Sequence, residues 1–293
     1  MNAQNTNREQ ALTQLAALAT QLEYAGQYNL AKLSRASIDA MTRRAAYENP
    51  APVATEELAA QLEHTIANLA ALGINENFLG AFRRGVNTMR AGKLPLLDEI
   101  PHPFVCRTCG HIALGNPTKC PTCGAWAETF QKFPPVYWLD ALDPFTGRAR
   151  LRQTPRAVAA LLDGLDESQT HKPAPDGGWS IHHILTHMRD AQGVLDFRMN
   201  LILEQDNPKL ESLAVFEWAD KPQAHPPTTR DIFDEYLAVR EKIIARLENI
   251  PLAAWWRTGQ HLEFGEVTLC NQVSYFASHE LTHLPPLERL RSK

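Results

Sequence analysis

The chain has 293 residues, 44% of them hydrophobic and 21% charged, which suits a globular protein of about two domains with a real core. A net charge of −4 argues against a nucleic-acid partner, which would call for a basic excess. No apolar run approaches the ~20 residues of a membrane helix. The polar start from Met1 to Arg8 lacks the apolar stretch of a signal peptide, so the expectation is a cytoplasmic protein with no membrane partner.

Residues 1–95 read as a helical N-terminal domain. Leu12, Leu15, Leu18 and Leu22 recur at the spacing of one helix face. A second helix from Tyr28 to Ala45 ends before the breaker Asn49-Pro50-Ala51-Pro52. A third starts at Thr55, with Glu56 and Glu57 where the helix dipole favours them. Leu58, Leu62, Ile66 and Leu69 form its stripe, and Gly73 is its stop. Glu76 to Arg90 forms a fourth.

Residues 100–135 change character, crowded with Pro101, Pro103, Pro117, Pro121, Pro134 and Pro135. A segment with so little apolar core needs a metal to hold it. Two C-x-x-C pairs, Cys106/Cys109 and Cys120/Cys123, supply the ligands, each followed by a glycine that lets the chain turn back on the sulfurs. In a reducing compartment this pattern reads as one tetrahedral metal site rather than as disulfides. An S4 set suits iron or zinc equally. The segment from Phe104 to Phe130 resembles the rubredoxin-like module of rubrerythrins, and zinc ribbons share the same knuckles. Iron would imply electron transfer with a redox partner, zinc a structural clip. Rubrerythrins also carry a di-iron bundle built on Glu-x-x-His motifs. Residues 1–95 contain no such motif and His64 is their only histidine, so the N-terminal helices are expected to serve packing or self-association.

Residues 150–293 return to helices, with no convincing strand between them, and a four-helix bundle is the natural packing. Pro155 is placed in the first turn of a helix starting at Thr154, whose stripe is Val158, Leu161, Leu162 and Leu165. Ser180 caps a long helix reaching Gln205. Another helix begins at Thr229, with Phe233, Leu237, Ile244 and Leu247 on one face. A last one runs from Thr268 towards Leu284, where Pro285-Pro286 should kink or end it. The fold class is thus mainly α: an N-terminal helical bundle, a small rubredoxin-like β module and a C-terminal four-helix bundle.

Eight of the eleven histidines lie between His171 and His283. His279 and His283 stand one helical turn apart, so both imidazoles can reach one ion. His182, His183 or His187 could add a third ligand across the bundle. The pieces Gly178-Trp179 through His187, then His261 through Thr268, then His279 through His283 resemble the DinB-like family. Its members are four-helix metalloproteins that include hydrolases and thiol-dependent transferases. The resemblance implies His187, His279 and His283 as ligands of a divalent ion (Zn, Ni or Fe), with His183 the rival of His187. His182 is expected to be solvated, His261 to stabilise a turn or approach the pocket, and Trp179 to anchor the core. Glu280 and Asp190 read as surface residues or as acceptors orienting the histidines, and Cys270 as a buried core residue.

Three protein ligands leave positions open, as at a catalytic site. The resemblance implies thiol transfer or hydrolysis with a small thiol or other small-molecule substrate, and a homodimer. The alternative is a redox or metal-sensing protein centred on an iron S4 site.

Overall fold

The computed structural model describes residues 3–47, 54–175, 177–211 and 227–292. The chain divides into two compact units, Met1–Leu58 and Ala59–Lys293. The first holds α1 (Ala3–Tyr24) and α2 (Tyr28–Tyr47), packed as a hairpin that reverses at Gly26, whose φ is +74°. Small residues close its seam: Ala19, Ala31 and Ser34 are buried. The expected leucine stripe is only partly inward, since Leu18 is 45% exposed. The breaker at Asn49–Pro52 lies outside the described residues.

The division between the two units falls inside α3 (Thr55–Ala71). From Ala59 onward α3 packs with α4 (Glu76–Arg90) through Ala59, Ile66, Leu79 and Val86. Asn75 caps α4 by accepting from the Phe78 amide, while its Nδ2 donates to the Ile112 carbonyl at 2.8 Å. That bond ties this helical pair to the cysteine segment. There β1 (Pro103–Cys106) is the centre of a three-stranded antiparallel sheet, flanked by β2 (Ile112–Leu114) and β3 (Phe130–Lys132).

The C-terminal bundle consists of α5 (Pro144–Leu162), α7 (Ile181–Glu204), α8 (Thr229–Asn249) and α9 (Leu269–Arg291), with the short α6 (Glu167–Thr170) between the first two. Leu151, Leu195, Met199, Ile243, Val273 and Ala277 are among the residues that fill its core. One proline expectation is corrected, and at Pro285-Pro286 the helix does not end. The first helix begins ten residues earlier, capped by Asp143, so Pro155 lies in its interior rather than in its first turn. The last helix runs through Pro285 and Pro286 to Arg291. Prolines cost a helix chiefly the i→i−4 bond and a clash with that carbonyl; at Pro155 the freed Leu151 carbonyl accepts from Arg240 Nη1 at 2.7 Å instead.

The expectation of no strand in this region is also corrected. β5 (Thr258–His261) and β6 (Gly265–Thr268), a hairpin between α8 and α9, form a small sheet with β4 (Lys209–Leu210), which follows α7. Gly265, at φ +74°, makes the turn into β6, and a Cβ there would lie 2.6 Å from Leu97 Cδ2. His102 Nε2 is 2.9 Å from the Phe264 carbonyl in the same turn, so the cysteine module rests on this hairpin.

Candidate metal centres

The β1 knuckle and the Cys120–Cys123 turn bring Cys106, Cys109, Cys120 and Cys123 together, all four sulfurs within 4.8 Å of one another. Cys106–Cys123 and Cys109–Cys120 are separated by 3.7 and 3.6 Å. Sulfurs bound tetrahedrally at about 2.3 Å lie about 3.8 Å apart, whereas a disulfide needs about 2.05 Å. Gly110 and Gly124, at φ +76° and +77°, turn the chain after each pair. Burial works to raise the Cys106 thiol, but the amides of Cys109 and Thr108, together with the Cys123 and Cys109 thiols, outweigh it and leave it at about 6. At Cys109 the His111 amide works the other way, yet desolvation and the three neighbouring thiols push the group up to about 12. Four thiols this close cannot all ionise without a cation between them. The donor set fits zinc or iron and does not choose between them.

The second cluster forms where the N-terminal third of α7 faces α9. His187, His279 and His283 converge with all three Nε2 atoms inward, 3.3 Å from His187 to His279 and 3.1 Å from His279 to His283. Nitrogens held at about 2.05 Å from a tetrahedral ion would be about 3.3 Å apart. The rings stand edge-on to each other, at 71–90°. Trp179 lies 5.1 Å from His187, and Trp138 5.4 Å from His279. Tyr275 stacks along His279 at 6.1 Å.

Desolvation within these aromatic walls, reinforced by the neighbouring imidazoles, lowers His279 to about 4 and His283 to about 3. Both rings are therefore neutral at physiological pH, the form that donates a lone pair. The His279 Nδ1 atom is buried with no hydrogen-bond partner among the described residues. Desolvation also raises the Tyr275 phenol, which stays protonated.

His183 is not part of this group, because its Nδ1 is 2.8 Å from the Ser180 hydroxyl at the start of α7. His182, expected in solvent, is instead held under a stacked His171 ring at 3.9 Å and against the Thr229 hydroxyl at 3.0 Å. His261 is buried and accepts from the Glu263 and Phe264 amides, the turn-stabilising role. Trp179 packs against the core formed by α5, α7, α8 and the end of α9. Cys270 is buried. Asp190 pairs with Arg189 at 2.8 Å.

Glu280 is neither a surface residue nor an acceptor for a histidine. It is 2% exposed and paired with Arg240, which is itself fully buried. The sequence reading missed Arg240, Tyr275 and Trp138. Arg240 could have been found, as a charge at the inward positions shared with Tyr236, Ile243 and Leu247. Tyr275 precedes His279 by one turn on the same face. Trp138 sits in a short 3-10 turn and carries no local signal.

A helical bundle whose core holds three converging imidazoles is the frame of a metalloprotein. Residues 150–285 match the family described as the DinB superfamily, and the C-terminal domain is DinB-like. Similar proteins include two named "Putative metal-dependent hydrolase", from Bacillus cereus and from Bacillus thuringiensis subsp. konkukian. Each is 24% identical over 147 residues, spanning 49% of this chain and 82% of the relative. A solved structure is also similar, that of YfiT from Bacillus subtilis, described as a probable metal-dependent hydrolase with an unusual four-helix bundle topology. It aligns with a TM-score of 0.47 and 17% identity, over 54% of this chain and 91% of that one.

Proposed function

We propose that the C-terminal domain is a metal-dependent enzyme, a hydrolase or thiol transferase acting on a small molecule, with His187, His279 and His283 holding one divalent ion. The observation that carries this reading is the convergence of three Nε2 atoms at 3.1 and 3.3 Å inside an aromatic, partly desolvated wall. The relatives' name supports it, and three protein ligands leave positions open for a reactant. A bound divalent ion would supply Lewis acidity, activating a water or thiol nucleophile or polarising a carbonyl. The chain's own contribution is to keep the imidazoles neutral, to exclude bulk water with Trp138, Trp179 and Tyr275, and to offer the protonated Tyr275 phenol as a donor.

The four cysteines are read as a closed site that holds the rubredoxin-like module together, with zinc or iron as its ion. Elemental analysis and a visible spectrum of the same sample identify that ion. The activity test is turnover of ester, amide and thiol-conjugation substrates by the wild type and by His279→Ala. Loss of turnover and of one metal equivalent, with the cysteine-bound ion retained, supports the reading. Unchanged turnover in His279→Ala sinks it.

A further inference from the structure

A third group of donors lies at the foot of the bundle, where α6 meets the starts of α7 and α8. Glu167, His171 and His182 each offer a ligand atom, all within 4.8 Å of one another. His171 Nε2 is 2.8 Å and His182 Nδ1 3.9 Å from the same Glu167 Oε1. We propose that these three side chains form an auxiliary site for a borderline first-row divalent cation, clasping α6 to the N-terminal ends of α7 and α8.

The site is separate from the three-histidine centre. His182 and His187 are five residues apart on α7, so their side chains leave the helix about 140° apart. The plainer account makes Glu167 a cap for α8. Its Oε1 does accept from the Thr229 amide at 2.8 Å and the Thr229 hydroxyl at 3.0 Å, at a helix end where a carboxylate is favoured. Capping explains Glu167 but not the two imidazoles beside it, stacked at 3.9 Å. One of them, His182, has only 12% of its side chain exposed.

The donor geometry suits an ion. Ligands about 2.1 Å from one centre lie about 3–4 Å apart, and the two separations measured from Oε1 nearly span that range. His171, 44% exposed at its side chain, can rotate to close the set. The Thr229 bonds fix the carboxylate through Oε1, and Oε2 accepts no hydrogen bond among the described residues. Ion binding exchanges the His182–Thr229 hydrogen bond for a metal bond at Nδ1, with the ring's proton on Nε2. The Thr229 hydroxyl goes on donating to Glu167. Desolvation keeps His182 unprotonated, at about 4, so no proton competes at neutral pH. A cleft of about 280 Å³, lined in part by Glu167, Thr170, Thr229 and Arg230, opens on the carboxylate side of the group. Two imidazoles and one carboxylate select zinc, nickel, copper or iron(II) over calcium or magnesium.

The test is calorimetric titration of Ni2+ into the untagged, as-isolated full chain at neutral pH, beside His171→Ala and Glu167→Gln. Glu167→Gln keeps an acceptor for Thr229 and removes the charge. The wild type should take up one further equivalent. Each variant should weaken that binding by about 100-fold or more, the upper end of what losing a mere supporting group costs. Elemental analysis should find the metals of the other two centres unchanged in both, so failure here does not bear on the proposed reaction. Equal uptake by the variants, or no further equivalent in the wild type, overturns the proposal.

Discussion

Arg240 touches all four long helices of the C-terminal bundle, and replacing it should be among the most damaging single changes there. From α8, its Nε donates to Gln192 on α7, its Nη1 to the Leu151 carbonyl on α5 at 2.7 Å, and both Nη atoms to Glu280 on α9. The Leu151 carbonyl needs an outside donor, because its intrahelical partner would be the amide that Pro155 lacks. Burial alone would lower the guanidinium's pKa, but Glu280 more than offsets it and holds Arg240 charged. Arg240→Met therefore does two things. It strands Glu280, 2% exposed, without its counter-ion, at a cost of about 3–5 kcal/mol. It also leaves the Leu151 carbonyl and the buried Gln192 Oε1 without that donor, at about 1–3 kcal/mol for the carbonyl alone. Together these approach the whole stability of many domains, about 5–15 kcal/mol. At ~2–4 °C per kcal/mol for a domain of this size, Tm should fall by roughly 10–30 °C. Differential scanning calorimetry with urea unfolding measures it. Arg240→Met/Glu280→Leu removes the stranded charge and should recover that share of the loss, keeping the cost of the undonated Leu151 carbonyl, about 1–3 kcal/mol, and of Gln192 Oε1. A single variant within about 1 kcal/mol of wild type, or a double variant no better than the single, would refute the reasoning.

Further outcomes follow from other sites. His261 is 4% exposed and lowered to about 4 by burial and by Arg198. The unfolded chain takes up a proton near pH 6.5 while the folded chain does not, so this contribution is complete above 6.5 and lost as pH falls towards 4. It amounts to at most about 3 kcal/mol. His261→Asn, which can still accept from the turn amides, should flatten that part of the urea-midpoint profile, and an unchanged profile would count against it. Gly265→Ala places a Cβ 2.6 Å from Leu97 at φ +74° and should cost about 1–2 kcal/mol for the backbone alone, with more from the clash. Hydrogen exchange should then rise in β5 and β6 first. Cys123→Ser should release the ion of the cysteine centre and deprotect the β1–β3 amides, while the elemental content of the histidine centre stays constant.

The metal-ligand candidates were legible because they are written locally. Paired C-x-x-C spacing and His-x-x-x-His one turn apart each lie within one segment, and His187 was singled out by the resemblance to the DinB-like family around Trp179. Helix caps were legible for the same reason: Ser180 accepts from the His183 amide as its position suggests. What failed was any inference in which a local penalty is answered from another part of the chain. Pro155 reads as a helix start until Arg240, eighty-five residues later, is seen to satisfy the carbonyl it frees. Pro285 and Pro286 read as a kink or a stop, yet α9 continues past them, and Pro286 shares a cleft with Trp179 and His283. His182 and His183 differ by one position, yet one stacks on His171 and the other is held by Ser180, a choice set by what α6 and α8 bring near.

Arg240 and Glu280 show why this matters for the site. Glu280 stands between the two α9 histidines in sequence and points away from them into the core. The same helix therefore presents ligands on one face and its buried anchor on another. The proline in α5, the arginine in α8 and the glutamate in α9 form one arrangement, and it fixes the rotation of α9 about its axis. That rotation determines whether His279 and His283 face His187, so the precision of the metal centre depends on a charge pair that never touches it.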